Sequence, residues 1–179
     1  MLFITTKNFI LKKSSSDDIE SLADIYLKQD YLNAHYLNNI SKEKFVEKFE
    51  EESRLSERWT VMDKEEKIYG FVSLENKGSK DEENYRLLFF FNEEIHKDNK
   101  AEEILQRVID YGFEALHVHR IFSFCDVADN TYINIFKNLN MTKEASFLKI
   151  NPYKKDNTIH YRDRVQYVIL KENWLKMGQ

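Results

Sequence analysis

Two histidines, His117 and His119, stand one residue apart near the start of a predicted strand. On a strand, this spacing would place both imidazoles on one face, which is the geometry that a metal site requires. The sequence offers no evident third ligand for such a site. We therefore expect no metal ion.

Covalent chemistry by a nucleophile is not favoured either. Cys125 is the only cysteine and lies within the apolar run IFSFC, so we expect a buried core residue rather than a reactive thiolate. A lone cysteine also cannot form an internal disulfide. Serine, histidine and aspartate all occur, but no segment of the type G-x-S-x-G is present, and a hydrolase triad has no support.

The composition narrows the class of protein. With 179 residues, 42% of them apolar, the chain is long enough for a single domain over residues 1–179. A net charge of −4 argues against a nucleic-acid partner and favours a cationic amine as substrate. The apolar runs are far shorter than the roughly 18 residues of a membrane span, and the N-terminal MLFITTKNF lacks the features of a secretory signal. We predict a cytoplasmic protein with no membrane partner.

Hydrophobic periodicity predicts alternating strands and helices. In the segment after the opening strand FITTKNFILKK, Ser15 and Asp18 stand at the spacing of a helix capping box. The most regular helical pattern, Ala101 to Leu116, lies between the strands YRLLFFF and HRIFSFCDV, and a right-handed crossover would make these strands parallel neighbours. The other predicted elements are helices after Asp18, after Ser41 and around Tyr132 to Leu139, and strands at Arg58–Met62, Ile68–Leu74, ASFLKI and YRDRVQYVIL.

These elements predict an α/β (α+β) fold. It has a mixed, mostly antiparallel seven-stranded sheet, one central βαβ unit and about four helices. The order of elements is similar to that of the GNAT superfamily of acyl-CoA-dependent N-acetyltransferases. Four segments resemble its RimJ/RimL-like (ribosomal-protein-alanine acetyltransferase) branch: FILKKSSSDDIESLADIY, VIDYGFEALHVHRIFSFCDVADN, KNLNM and YVILKENW.

The resemblance implies a site for acetyl-CoA. In the family a loop of pattern Q/R-x-x-G-x-G/A binds the pyrophosphate on backbone N–H groups, and here the matching segment is HKDNKA. His96 takes the Gln/Arg position and Ala101 the last small position. Asn99 takes the first glycine position, where asparagine best tolerates a left-handed backbone. The cofactor-binding residues implied by the resemblance are Phe89, Phe90, Phe91, His96, Lys97, Asp98, Asn99, Lys100, Ala101 and Asn130.

Two of these assignments have alternatives. Phe89, Phe90 and Phe91 are expected to meet the pantetheine through their backbones, while their side chains belong to the sheet core. Asn130 either touches coenzyme A or supports the loop, whereas its structural role would be a helix N-cap, which Asp129 would fill equally well.

The catalytic residues differ from those of the branch. Relatives often carry Glu where this chain has Arg86, and some place an acid Tyr where it has Phe136. Glu75 is therefore the candidate general base and Tyr132 the candidate proton donor. The residues expected to bind the acceptor are Tyr31, His35 and Tyr36, which would equally suit a solvated turn with aromatic anchors.

The implied function is transfer of an acetyl group from acetyl-CoA to a primary amine by direct attack in a ternary complex. The acceptor is a small molecule or a peptide: a protein N-terminus, a polyamine, an aminoglycoside or another small amine. A GNAT-like binding or regulatory module with impaired catalysis is the alternative, because the loop lacks the family glycines. The aromatic tail at Trp174 and the edge of YRDRVQYVIL are where a homodimer would form.

Overall fold

The computed structural model describes residues 3–28, 41–52, 56–78, 83–156 and 158–177. The strands are β1 Ile4–Thr5, β2 Ile10–Lys13, β3 Ser56–Met62, β4 Ile68–Asn76, β5 Asn84–Phe91, β6 Arg120–Asp126, β7 Thr142–Lys155 and β8 Thr158–Leu170. The helices are α1 Ile19–Leu27, α2 Lys42–Glu52, α3 Lys100–Glu114, α4 Asn130–Asn138 and α5 Lys171–Met177. Short 3-10 turns at Ser16–Asp18 and Glu93–His96 precede α1 and α3.

All eight strands belong to one sheet, in the order β1-β2-β3-β4-β5-β6-β8-β7. Neighbouring strands are antiparallel except β5 and β6, which run parallel and are connected through α3. The predicted mixed sheet with a central βαβ unit is confirmed. The crossover leads from the end of β5 through the 3-10 turn Glu93–His96 to the start of α3.

Two differences from the predicted elements have local causes. The opening segment forms two strands because a tight turn interrupts it: the Thr6 amide donates to the Phe9 carbonyl, and the Phe9 amide donates to Thr6 Oγ1, both at 2.9 Å. The aromatic tail forms a fifth helix, α5. That helix is held by Trp174, whose Nε1 donates to Asp110 Oδ1 at 2.8 Å and whose ring lies 5.2 Å from that of Phe113.

Strand β8 is not an edge strand, because it lies between β6 and β7. The edge that we predicted for pairing with a second copy is therefore already used within the chain, and β7 occupies the outer position. The homodimer itself stays a prediction.

Strand β5 is buried on both faces of the sheet. Side chains alternate along a strand, so Leu87, Phe89 and Phe91 lie on the face covered by α3 and α4, which we call the α3 face. Leu88 and Phe90 lie on the opposite face, covered by α1 and α2, which we call the α1 face. Burying each large apolar side chain stabilises the fold by about 1.5–3 kcal/mol. Double burial explains why this strand is a continuous apolar run.

Asp18 connects the first helix to the sheet through a buried carboxylate. Its Oδ2 accepts hydrogen bonds from the Ser15 amide at 3.0 Å and from Thr60 Oγ1 at 3.0 Å, and its Oδ1 lies 2.7 Å from Lys12 Nζ. Burial raises the pKa of this carboxyl, but the hydrogen bonds from Lys12, Ser15 and Thr60 outweigh burial and hold the pKa below its ordinary value. The capping-box spacing predicted for Ser15 and Asp18 is thus used to link β2, α1 and β3.

We expect Asp18→Asn to lower the free energy of unfolding by about 2 kcal/mol, because it weakens three charge-assisted hydrogen bonds. Since the folded pKa is depressed, the stabilising contribution is present above about pH 4 and is lost as the pH falls further. Urea denaturation of both proteins should therefore show a constant difference near neutral pH that narrows in acid. Asp17→Asn, at an exposed neighbouring position, is the matched control. Equal stability of the two variants would contradict this assignment.

Within the described ranges, no helix is long and apolar enough to cross a membrane, and the cytoplasmic location stays a prediction. Cys125 is fully buried, and burial raises the pKa of its thiol to about 12, which agrees with the predicted core role. His117 and His119 are exposed in the loop before β6 rather than on the strand. Among the residues that the structure describes, no three His, Cys, Asp or Glu side chains are grouped so that they would hold a metal ion.

Candidate functional site

The two parallel strands separate after a short paired stretch. β5 and β6 are in register from Asn84↔Arg120 to Arg86↔Phe122, and the next contact is a hydrogen bond from Ser123 Oγ to the Leu87 carbonyl at 2.7 Å. Beyond it the sheet continues only through β4, which stays paired with β5 as far as Phe91. The result is an opening between the carboxyl-terminal halves of β5 and β6.

Backbone groups of β5 line this opening. Peptide groups alternate in direction along a strand. The Leu87 carbonyl points toward β6, whereas the Asn92 amide points toward β4 and donates to the Tyr69 carbonyl at 2.8 Å. By this alternation, the N–H and C=O groups of Phe89 and Phe91 face the opening. For Phe89 and Phe91, the geometry is therefore consistent with the prediction that the side chains belong to the core and the backbone groups face the opening.

Gly70 permits the close approach of β4 to the end of β5. Its φ is +148°, and a Cβ at this position would lie 2.2 Å from the Phe90 carbonyl oxygen and 2.8 Å from Phe91 Cα. Any side chain would push the two strands apart at the level of the opening.

The loop at the end of β5 makes a left-handed turn without glycine. Asp98 and Asn99 have φ values of 58° and 56°, and α3 begins directly afterwards at Lys100. Asparagine and aspartate are the non-glycine residues that tolerate this conformation best. The prediction that Asn99 supports the turn in the glycine position is confirmed, and Asp98 takes the same conformation.

The start of α3 presents backbone donors. The first intrahelical bond runs from the Glu103 amide to the Asn99 carbonyl at 3.0 Å. The amides of Ala101 and Glu102 precede it and have no acceptor within the helix. Together with the helix dipole, such amides form a favourable site for an anion. Ala101 is fully buried, so its small side chain lets this turn of the helix pack against the core.

The two acidic side chains of the first turn are held by neighbouring segments. Glu102 Oε1 accepts a hydrogen bond from Asn138 Nδ2 at 2.8 Å. Glu103 accepts from the Asn8 amide at 2.9 Å and from Asn8 Nδ2 at 2.7 Å. Both carboxylates are therefore engaged beside the helix start. The exposed side chains of the loop are Lys97, Asp98 and Asn99, and Lys100 is half-buried.

His96 lies between the loop and the aromatic core. Its ring centroid is 6.4 Å from that of Phe91 and 5.9 Å from that of Tyr132. Burial lowers the pKa of the imidazole, although the charge of Asp129 partly opposes this effect. Its buried Nδ1 atom has no hydrogen-bond partner among the described residues. At neutral pH the side chain is therefore an uncharged group with a polar atom to satisfy.

Helix α4 places Tyr132 beside the opening. Asp129 caps the helix, and its Oδ1 accepts from the Tyr132 amide at 3.0 Å. The Tyr132 ring then stacks on Phe89 with ring centroids 4.9 Å apart and planes within 9°. Burial raises the pKa of the phenol, so this side chain keeps its proton. Asn130 follows the cap as the first helical residue and is exposed, so the N-cap role belongs to Asp129.

The second catalytic candidate, Glu75, lies on the α1 face. It stands opposite Arg86 in the β4–β5 register, and its Oε2 is 2.9 Å from Lys77 Nζ. The residue is buried, with only 6% of its surface exposed. Glu75 and Tyr132 therefore lie on opposite faces of the sheet.

The structure brings the loop residues, Tyr132 and the Phe89 and Phe91 backbones together at the α3 end of the opening. The Phe90 side chain packs on the α1 face instead. The predicted acceptor residues Tyr31, His35 and Tyr36 lie outside the described residues.

Sequence reasoning missed a cluster on the α1 face made of Arg86, Phe124 and Arg164. The guanidinium carbons of the two arginines lie 5.8 Å and 4.8 Å from the Phe124 ring centroid. The strand YRDRVQYVIL carried a signal for this cluster. Arg162, Arg164 and Gln166 are two residues apart, so their side chains lie on one face of the strand.

Comparison with known proteins defines the class. Residues 8–142 match the family described as Acetyltransferase (GNAT) domain, which is most of the chain. The chain therefore belongs to the GNAT acetyltransferase family, and this membership supports acetyl transfer to an amine. The chain is also 30% identical over 93 residues to the uncharacterized N-acetyltransferase YnaD of Bacillus subtilis (strain 168). That match covers 52% of this chain and spans about half, 52%, of the relative.

Solved structures share the fold at low identity. A GNAT-family acetyltransferase from Bacillus anthracis has a TM-score of 0.80 at 20% identity, covering 96% of this chain and 99% of that one. Spermidine N-acetyltransferase from Vibrio cholerae, in complex with CoA and spermine, has a TM-score of 0.80 at 15% identity, and the match covers 94% of this chain and 98% of that one. Ribosomal-protein-S5-alanine acetyltransferase from Vibrio fischeri has a TM-score of 0.75 at 18% identity, and the match covers 97% of this chain and 99% of that one.

We expect Asn99→Val to lower the free energy of unfolding by about 1–2 kcal/mol, because a β-branched residue is strained in the left-handed region. Asn99→Gly should stay within about 0.5 kcal/mol of the unsubstituted chain. Lys97→Val is the matched control, because Lys97 is exposed and has extended backbone angles. Chemical denaturation would measure all three. If Asn99→Val were as stable as Lys97→Val, the left-handed turn would not constrain this loop.

A second prediction concerns pH. Because burial depresses the folded pKa of His96, the unfolded chain binds a proton that the folded chain resists. The free energy of unfolding should therefore fall as the pH drops from about 7 to about 5, through the ordinary histidine pKa near 6.5. His96→Gln should remove that part of the slope, while Asp129, whose pKa burial raises, still titrates in both proteins. Parallel pH profiles would show that His96 titrates as it does in the unfolded chain.

Proposed function

We propose that the chain transfers an acetyl group from acetyl-CoA to a primary amine, by direct attack of the amine in a ternary complex. The observation that carries the proposal is the opening between β5 and β6, which ends at a left-handed turn and the amino terminus of α3 in a chain of this family. Acetyl-CoA would supply the activated acetyl group. Its pyrophosphate fits a loop whose backbone amides are available and whose nearest acidic side chains are held by Asn8 and Asn138.

The residues proposed to hold acetyl-CoA follow from this geometry. The amides at the start of α3 would bind the pyrophosphate, with Lys97 and Lys100 offsetting the charge of Asp98. His96 Nδ1 is a buried polar atom at the same place. The Phe89 and Phe91 backbones line the opening, where the pantetheine would extend. Asn130 remains a candidate because it is exposed at the start of α4.

The positions of Glu75 and Tyr132 suit different proton transfers. A general base must meet the amine, whereas a general acid must meet the departing thiolate. Glu75 lies on the α1 face, opposite the face where the loop would bind the pyrophosphate, and this is the side proposed for the acceptor. Tyr132 lies on the α3 face with Phe89, and its raised pKa keeps the phenol protonated, as a donor requires. Phe136, by contrast, is fully buried and has no proton to give.

The branch and the partner are further parts of the proposal. The four segments that resemble the RimJ/RimL-like branch support that assignment, and the likeness to the Vibrio fischeri enzyme is compatible with it. The spermidine N-acetyltransferase shares the fold equally well, so overall shape does not choose the acceptor. A homodimer is supported by four apolar side chains that are exposed on the β7–β8 hairpin: Leu148, Ile150, Ile159 and Tyr161. Sedimentation would measure the oligomeric state.

The proposal is tested by calorimetric titration with acetyl-CoA and desulfo-coenzyme A, followed by product analysis with a panel of amines. We expect one-to-one binding that Asn99→Val weakens by about tenfold, since the strained turn costs about 1–2 kcal/mol. Tyr132→Phe should bind acetyl-CoA normally but reduce kcat on the order of a hundredfold, because it removes the proton donor. Tyr111→Phe, on α3 with its ring 5.3 Å from that of Trp59, is the matched control.

The outcomes separate the two functions considered from the sequence. Binding of acetyl-CoA with acetylated product establishes the transferase. Binding without product from any amine would favour a GNAT-like regulatory module. No binding at millimolar ligand would contradict both the cofactor assignment and the transferase.

A further inference from the structure

His96 lies at the point where β5 leads into α3. It is the last residue of the 3-10 turn Glu93–His96, and α3 begins four residues later, at Lys100. The centroid of its ring lies 6.4 Å from that of Phe91, on β5, and 5.9 Å from that of Tyr132, on α4. The imidazole therefore lies between these two rings and close in sequence to the backbone amides that begin α3.

In the folded chain this imidazole is neutral near pH 7. Burial lowers its pKa, and the charges of Asp129, Glu102 and Glu93 oppose burial without overcoming it. The buried Nδ1 atom has no hydrogen-bond partner among the described residues, so no hydrogen bond there compensates for a proton. His96 is thus a group that could carry a positive charge but lacks the surroundings that would stabilise one.

Acidic groups face His96 from its own turn and from both neighbouring helices. Glu93 belongs to the turn, Glu102 to the first turn of α3, and Asp129 is the N-cap of α4. The other titratable groups of the adjoining segments are Lys97, Asp98, Lys100 and Glu103, the ion pair of Lys67 with Glu94, and the uncharged side chains of Cys125 and Tyr132. Carboxylates therefore outnumber ammonium groups in this part of the described structure.

An anion at the start of α3 would change the charge balance around His96. A pyrophosphate adds negative charge where carboxylates are already in excess, and the helix amides offer only partial positive charges. Among side chains of ordinary pKa, an imidazole is the one that gains a full charge between about pH 5 and 8. A nearby anion favours that charged form. Binding of the anion and protonation of His96 should therefore favour each other, because the coupling of two bound species is reciprocal.

We propose that binding of the acetyl-CoA pyrophosphate at the start of α3 is coupled to protonation of His96, which supplies the positive charge that this acidic neighbourhood lacks. His96 would act as a positioning residue for the cofactor. Glutamine and arginine, which the family pattern has at this position, do not change their charge near neutral pH. The coupling would thus be a property of the histidine of this chain. The inference rests on the proposed function for the identity of the ligand and adds a pH dependence to its binding.

The test is calorimetric titration with desulfo-coenzyme A between about pH 6 and pH 8, in buffers of different ionisation enthalpy, which measures the affinity and the protons taken up. We expect uptake of up to about one proton, and an affinity that falls by up to about tenfold per pH unit as the pH rises. His96→Gln should take up fewer protons and bind more weakly near pH 6. His96→Arg, with a permanent charge, should bind without that uptake. The ligand's own phosphates titrate with every variant.

Two further variants serve as controls, and circular dichroism checks that each variant is folded. His119→Gln removes a histidine that is exposed in the loop before β6, and it should keep the proton uptake. Asp129→Asn keeps a residue suited to the N-cap but removes a charge that favours the imidazolium. We expect this variant to take up the proton at lower pH than the unsubstituted chain.

The readouts keep the two proposals distinguishable. Equal proton uptake in the unsubstituted chain and in His96→Gln would overturn the coupling, and so would an affinity that does not depend on pH. Either result would leave cofactor binding and product formation untouched. Coupled binding without acetylated product from any amine would keep the role of His96 and contradict the transferase. Absence of binding at millimolar desulfo-coenzyme A would contradict both proposals.

Discussion

The arrangement of this protein depends on the incomplete pairing of β5 with β6. Backbone groups in a sheet normally satisfy one another through the hydrogen bonds of the ladder. Here the parallel ladder ends after Arg86, and the Ser123 hydroxyl supplies the next hydrogen bond to the Leu87 carbonyl. The backbone groups of Phe89 and Phe91 therefore face an opening while β4 still supports the strand from its other side. The same divergence carries the chain to the start of α3.

The two faces of the sheet give this opening different chemical surroundings. On the α3 face, helix amides, a neutral His96 and the stacked ring of Tyr132 surround its end, and the acidic side chains of the helix start are tied to asparagines. On the α1 face, Glu75 stands opposite Arg86, whose guanidinium lies near the Phe124 ring. The thickness of one strand thus separates the backbone amides at the start of α3 from a group of charged side chains on the opposite face.

The sequence predicted the elements that have strong periodicity and one-sided burial, such as α3 and the strand before it. It also predicted the left-handed backbone at Asn99, because local residue type limits φ. It did not predict the division of the first strand, which a single side-chain contact from Thr6 decides, or helix α5, which Asp110 and Phe113 hold from a distant part of the chain. The faces of Glu75 and Arg164 required the register of three strands, which no single segment encodes.

Net charge by itself says little about which acceptor binds, for a physical reason. Electrostatic interactions in solution are screened within about 8–10 Å, so distant surface charges contribute little at a partly buried site. Many acidic residues lie on exposed helices such as α2, where water and salt screen them. Beside Phe124, the nearby charged groups count for more than the charge of the whole chain: Arg86 and Arg164, with Glu75 and Asp126 opposite them in the strand registers. The same reasoning applies to the loop, where the tethering of Glu102 and Glu103 matters more than the charge they add to the chain.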